Sequence, residues 1–284
     1  MKKPVMINFA KRMVKQKDAL SALLVTGSDK VESGFGNGDC LLLDFSRLLF
    51  VVSDGSERHP NASRILLERL VDVLPAPLSF DIDAFQAAIG KIYAGQKYTY
   101  KCTFGFVAFY KNRKEVTACI SSGGDSMVIV ADSSDGSIIF KTSSDMNFAG
   151  RSKNVPGIST FTLKDRKFRV IIATDGFAEA LNNIERKNGK LPGWIFDGSV
   201  CCAAGKFRRR FKTKKLISYD DIGMIIVDPF SLCRDDKIII AGGTLPAKEA
   251  LFASSFASRR GKWVEKERWH ENSELFDSAG IIIK

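Results

Sequence analysis

Histidine is nearly absent from this chain. Among 284 residues only His59 and His270 occur, which excludes any site built on three histidine ligands. Cysteine is sparse and scattered. Cys40, Cys102, Cys119, Cys201, Cys202 and Cys233 show no CxxC spacing, so the sequence offers no structural zinc site. Three of the six lie in apolar, strand-like runs, where cysteine behaves as a small hydrophobe, and the set reads as reduced intracellular thiols. No uninterrupted apolar stretch is long enough to span a bilayer. The basic start, Met1-Lys2-Lys3-Pro4, leads into neither an adequate apolar core nor a small-residue cleavage site, so no signal peptide is expected. Internal repeats, low-complexity tracts and an evident serine or cysteine nucleophile elbow are also missing. These absences suit a cytoplasmic protein without a membrane partner.

The composition is ordinary for a globular chain, with 45% hydrophobic and 26% charged residues. The length allows one large domain, or one with a sizeable appendage. The net charge of +11 is locally concentrated. Lys206, Arg208, Arg209, Arg210, Lys212, Lys214 and Lys215 crowd one segment, interleaved with Phe207 and Phe211. That segment reads either as a contact for nucleic acid or an acidic protein, or as a solvated basic face.

Residues 1–20 read as a short amphipathic lead-in. Strands are expected over Ala19–Thr26, Cys40–Phe45 and Leu48–Ser53, the last two forming a hairpin whose continuous apolar runs suit a layered core. A helix is expected from Pro60, with Ile65, Leu66, Leu70, Val71 and Leu74 at helical spacing. A second follows Asp81, with Phe85, Ile89 and Ile92 on one face. Four strands then run from Thr103 to Lys141 between turn-forming segments. Phe161–Leu163 and Phe168–Ala173 add two more. A helix follows Asp175-Gly176, residues 194–211 are partly helical, and Gly223–Val227 is read as the last core strand.

Four aspartates sit where these strands end and the backbone turns: Asp39, Asp54, Asp175 and Asp220. A carboxylate at the rim of a buried strand is costly unless compensated. Several converging on one rim call for a cation, and hard divalent ions take oxygen ligands of this kind. Singly, each Asp-Gly is a common turn signal. The ordered set is more informative. It runs Gly38-Asp39, Asp54-Gly55 with His59 four residues on, Gly124-Asp125-Ser126, Asp175-Gly176 and Asp220-Asp221-Ile222.

This set resembles the metal-dependent type-2C (PPM) serine/threonine protein phosphatases, over roughly residues 19–228. Asp39 matches the first motif. Asp54, Gly55 and His59 match the Asp-Gly-Met-Gly-Gly-His box, and Gly124-Asp125-Ser126 the central Gly-Asp-Ser. Asp175-Gly176 matches the Ser-Asp-Gly, and Asp220-Asp221-Ile222 the Asp-Asn-Ile-Thr. The resemblance implies an α+β fold, two packed antiparallel β-sheets flanked by helices in an α-β-β-α sandwich. It implies hydrolysis of phosphoserine and phosphothreonine in proteins by a water activated by two Mn²⁺ or Mg²⁺ ions. Asp54 would bridge the ions, the Gly55 carbonyl would complete the shell of one, Asp175 and Asp220 would hold one ion, and Asp39 would act largely through ordered water. Asp125 would join Asp175 at a third ion. His59 would protonate the leaving oxygen, or else serve only as a helix-start residue.

The chain departs from the family pattern in four places, one being the compact, basic region between Asp175 and Asp220. Gly38 stands where family members usually carry Glu. The usual phosphate-holding Arg is absent from Gly34-Phe35-Gly36-Asn37. Glu57 and Arg58 replace the box glycines, and Arg58 is the candidate substitute for the missing Arg. These departures keep a second reading open, a weak or inactive pseudophosphatase that binds a phosphoprotein partner. Nucleic-acid binding through residues 206–215 is a third. The implied partners are a phosphoprotein substrate and a cognate protein kinase, the chain being a monomer without a nucleic-acid partner. The phosphatase-like domain is placed at 1–228, and 229–284 is read as a C-terminal extension docked on it. In that extension Asp236–Ala241 reads as a strand and Pro246–Ser258 as a helix, with Trp263 and Trp269 anchoring the tail or meeting a partner.

Overall fold

The structure is a computed structural model and describes residues 5–8, 18–27, 29–30, 37–56, 59, 61–76, 80–94, 101–150, 154–165, 167–181, 189–213, 216, 219–243 and 282–283. In chain order the elements are β1 Val5–Asn8, β2 Leu20–Thr26, β3 Asp39–Asp44, β4 Leu49–Asp54, α1 Asn61–Val73 and α2 Ile82–Ala94. Then come β5 Phe104–Lys111, β6 Val116–Gly123, β7 Met127–Asp132, β8 Ile138–Lys141, β9 Ser159–Leu163 and β10 Phe168–Ala173. The last are α3 Asp175–Ala180, α4 Ala203–Lys212, β11 Ile222–Val227, β12 Ile238–Gly242 and β13 Ile282–Ile283.

The strands form two antiparallel sheets, β1-β2-β11-β10-β7-β8 and β13-β12-β3-β4-β5-β6-β9. Side chains alternate across a strand, so a strand covered on both faces is apolar throughout. In β3, Leu41 and Leu43 face the other sheet, while Cys40 and Leu42 face the helices. The inter-sheet core joins Leu20, Ala22 and Leu24 of β2 to Phe50, Val107, Val128, Ile172 and Ile225. On the outer face of the second sheet, Leu42, Val51 and Phe106 meet Leu66, Leu70, Phe85 and Ile89 of α1 and α2. On the outer face of the first, Leu23, Ile171 and Met224 meet Phe177 of α3 and Phe207 of α4. The layers are therefore helix, sheet, sheet, helix, as the resemblance implied.

Local chemistry explains several element boundaries. The Asp81 carboxylate accepts the N–H groups of Asp83 and Ala84 at 3.0 and 3.2 Å and starts α2. The Asp44 carboxylate accepts from the N–H groups of Ser46 and Arg47 and closes the β3–β4 turn. In α1 the buried stripe runs through Ala62, Ser63, Leu66, Leu67, Leu70 and Val71. Ile65 falls outside it and is exposed, contrary to the expectation that placed it on the apolar face.

Two further expectations change. The lead-in contains a strand, β1, paired antiparallel with β2. Ile222–Val227 is not the last core strand. β12 follows it and lies inside the second sheet beside β3, with Ile240 and Ala241 buried. The helix expected over Pro246–Ser258, and Trp263 and Trp269, lie outside the described residues. Among the described residues no helix is long and apolar enough to cross a membrane.

The burial of β12 gives a test. Ile240→Ala should lower stability by about 2–5 kcal/mol, the usual cost of truncating a buried aliphatic side chain. Urea denaturation measures this. A change under about 0.5 kcal/mol, typical of surface positions, would remove β12 from the core.

Candidate metal and phosphoryl site

The two-residue period that fills the inter-sheet core continues to the end of the strands. It carries Asp39 in register with Leu41 and Leu43, and Asp54 in register with Phe50 and Val52. The two aspartates are direct partners across the β3–β4 ladder. On the facing sheet, β10 ends at Ala173, beside Met127 of β7 and Met224 of β11. Asp175, Asp125 and Asp220 lie just beyond those strand ends, at the same rim. Glycine keeps the sheets close there. A Cβ on Gly223 would stand 3.3 Å from the Asp39 side chain, and one on Gly105 would stand 3.2 Å from Val52 and 3.3 Å from Ile172.

Hydrogen bonds cross between the sheets at this rim. The Thr174 hydroxyl donates to Asp39 Oδ2 at 2.7 Å and accepts the Gly223 N–H at 2.9 Å. The Thr103 hydroxyl accepts the Asp54 N–H at 2.8 Å and lies 2.5 Å from the Ser126 hydroxyl. Asp221 is buried and accepts the N–H groups of Gly27 and Gly38 at 2.9 and 2.7 Å. It fixes the chain just before Asp39. From below, the Gly243 N–H donates to the Asp39 carbonyl at 2.7 Å, and Ser63 Oγ donates to the Gly38 carbonyl at 2.6 Å. Gly242 has φ 91°, and a Cβ there would lie 2.2 Å from the Asp39 carbonyl oxygen.

Burial and mutual repulsion raise the pKa values of Asp39, Asp54, Asp175 and Asp221. Asp54 is held well above the usual range by burial, then by Asp175, Asp220 and Asp221. Asp39 is raised by burial, then by Asp54 and Asp221, against the Thr174 hydrogen bond. Burial, then Asp125 and Asp220, push Asp175 up to about 6. Burial pushes Asp221 up to about 7. Asp125 Oδ1 is buried without a hydrogen-bond partner. Among the described residues, no three ligating side chains already form a metal cage. The donor set is nonetheless all oxygen, and its crowded charge is of the kind a hard cation relieves.

The structure thus gathers Asp39, Asp54, Asp125, Asp175 and Asp220 at one rim. Gly55 joins them, its N–H bonded to the Gly38 carbonyl at 2.9 Å. His59 stands just before α1, its N–H donating to the Ser56 carbonyl at 2.8 Å. Arg58 lies outside the described residues. Sequence reasoning missed Asp221, Thr174, Thr103 and Ser126 as supporting groups. Asp221, Thr174 and Ser126 each neighbour a candidate ligand, and Asp221 and Ser126 stand inside the quoted motifs, whereas Thr103 carries no such signal.

The basic segment is anchored by Phe207. Phe207 of α4 is fully buried and packs on Trp194, ring centroids 4.9 Å apart. It is therefore not an exposed surface for stacking bases. The Arg210 guanidinium lies 4.1 Å from the Trp194 ring. Lys214 and Lys215 lie outside the described residues.

The raised carboxyl pKa values set a pH dependence. A carboxyl whose folded pKa is raised favours the folded state while protonated, and that contribution is lost as pH rises through the raised value. With an ordinary value of 3.8 and folded values of about 6 and about 7 for Asp175 and Asp221, the protein in chelator should lose thermal stability between about pH 4 and pH 7. Asp175→Asn should make that loss shallower. Calorimetric melting across this range measures it, and a melting temperature that climbs with pH would reject the assignment.

No protein-family model matches the sequence. No curated protein matches it either. Solved structures do. A serine/threonine phosphatase from S. agalactiae is 16% identical, the match covering 73% of this chain and 98% of that one, with a TM-score of 0.53. A bacterial serine phosphatase carrying a point substitution is 15% identical over 76% of this chain and 98% of that one, with a TM-score of 0.52. The serine/threonine phosphatase Stp1 from Staphylococcus aureus is 14% identical over 80% and 95%, with a TM-score of 0.50. At such identities the likeness is one of fold, and the chain has the two-sheet, helix-flanked fold of the type-2C serine/threonine phosphatases.

Proposed function

We propose that the chain is a metal-dependent phosphatase acting on phosphoserine and phosphothreonine in proteins. The observation that carries this reading is the crowding of buried, mutually repelling carboxylates at the rim between the sheets, with Asp125 Oδ1 left unpartnered. Asp39, Asp54, Asp175 and Asp220, with the Gly55 carbonyl, would hold two Mn²⁺ or Mg²⁺ ions, and Asp125 would serve a third. Such ions supply a water of lowered pKa and charge compensation for phosphoryl oxygens.

The chain's own groups prepare that chemistry. Thr174 orients the Asp39 carboxylate, and Thr103 fixes the backbone of Asp54. Asp221 ties the turn before β3 to the start of β11. His59 is the proposed proton donor to the leaving seryl or threonyl oxygen. Gly38 supplies no carboxylate where relatives of this fold usually have Glu, which favours a second reading, phosphoprotein binding without turnover.

The experiment is phosphate release from a phosphothreonine peptide, with Mn²⁺ and with chelator. Turnover should require the metal. Asp54→Asn and Asp175→Asn should each lower it on the order of a hundredfold or more while the fold persists, as expected when a metal ligand is lost. Wild-type rates in either variant would misplace the centre. Metal-dependent peptide binding with no phosphate release would favour the second reading.

A further inference from the structure

The site described so far is almost wholly anionic, yet its proposed substrate is an anion. Even with a third ion at Asp125, the divalent charge would not balance Asp39, Asp54, Asp125, Asp175, Asp220 and Asp221 together with a phosphate dianion. A cationic side chain at the mouth would reduce that repulsion. The structure supplies one that no sequence motif suggested.

Lys30 follows the end of β2. Its backbone surroundings are held at two points. The Gly27 N–H donates to Asp221 Oδ1 at 2.9 Å, and the Asp29 N–H donates to the Tyr219 carbonyl at 3.1 Å. These bonds tie the segment to the chain entering β11. They leave the Lys30 ammonium 3.3 Å from Asp220 Oδ1, with the Lys30 side chain 19% exposed and that of Asp220 41% exposed. Beyond Asp220, the Asp221 and Asp54 carboxylates lie near enough for their charges to act on Lys30. At 3.3 Å the pair is looser than a tight charge-assisted hydrogen bond. A lysine carries three N–H donors on a flexible stem and can turn from a carboxylate to a phosphoryl oxygen. Arg64 is committed differently, to Glu68 and to the Gly242 carbonyl.

We propose that Lys30 is the cationic side chain that receives the phosphoryl group of the substrate at this rim. The inference rests on the phosphatase reading above. It assigns to Lys30 a positioning role that the family resemblance would give to an arginine absent from residues 34–37.

The test uses the full chain with Mn²⁺ and inorganic phosphate as the probe. Calorimetry gives the affinities for Mn²⁺ and, in its presence, for phosphate. Circular dichroism confirms that the variants fold. Lys30→Gln should weaken phosphate binding about tenfold, the loss expected for one charge-assisted hydrogen bond, and leave Mn²⁺ affinity equal or higher. Lys30→Arg should retain most of the phosphate affinity. With the phosphothreonine peptide, Lys30→Gln should raise KM more than it lowers kcat. Phosphate binding unchanged in Lys30→Gln would reduce Lys30 to an ion pair with Asp220 and overturn the proposal. Equal losses of Mn²⁺ and phosphate affinity would indicate a structural role and overturn it as well. A wild-type chain that binds neither probe would sink the phosphatase reading and Lys30 with it. Phosphate binding that depends on Lys30, in a chain without turnover, would keep this proposal and reject hydrolysis.

Discussion

Repulsion among carboxylates at the rim between two sheets is the constraint around which the rest of this structure is arranged. Asp39 and Asp54 face each other across one ladder, and Asp175, Asp125 and Asp220 close in from the other sheet. Nothing in the inter-sheet core requires acidic groups there. Burial makes them costly, and their proximity makes them costlier. Without a compensating cation, such a cluster costs the fold stability.

The cluster is held by groups that have little to do with metal chemistry. The Thr174 hydroxyl spans the sheets to Asp39. Thr103 and Ser126 span them a second time, beside Asp54 and Asp125. Gly105 and Gly223 allow the close approach that makes these bonds short. Asp221, next to Asp220, accepts two backbone N–H groups. Adjacent aspartates thus have different environments, one buried in the scaffold and one beside Lys30 at the mouth.

The end of β12 contributes to the same site from a distance in sequence. Gly242 and Gly243 wrap beneath Asp39, and α1 reaches the same backbone through Ser63 and Arg64. Residues beyond position 228 therefore support the rim directly. The helices cover the outer faces, and the basic segment does so through Phe207, which packs on Trp194. Its charge sits on an element whose apolar side is committed to packing.

Much of the fold was legible in the sequence because its signals are local. Apolar runs of strand length, the Asp81 helix start and the Asp-Gly turns follow from burial, capping and turn chemistry between near neighbours. The ordered aspartates were legible for the same reason, each marking the end of a run. Ile65 was misread because helical spacing alone does not say how wide the covered stripe is. The strand in residues 5–8 and the interior place of β12 depend on pairing with distant partners, which no local pattern encodes. The sequence by itself determined which residues are able to form strands, turns and acidic rims. Only the tertiary structure decided that Thr174, Thr103, Asp221 and Lys30 meet those aspartates, because their contacts are made across sheets and between segments far apart in the chain.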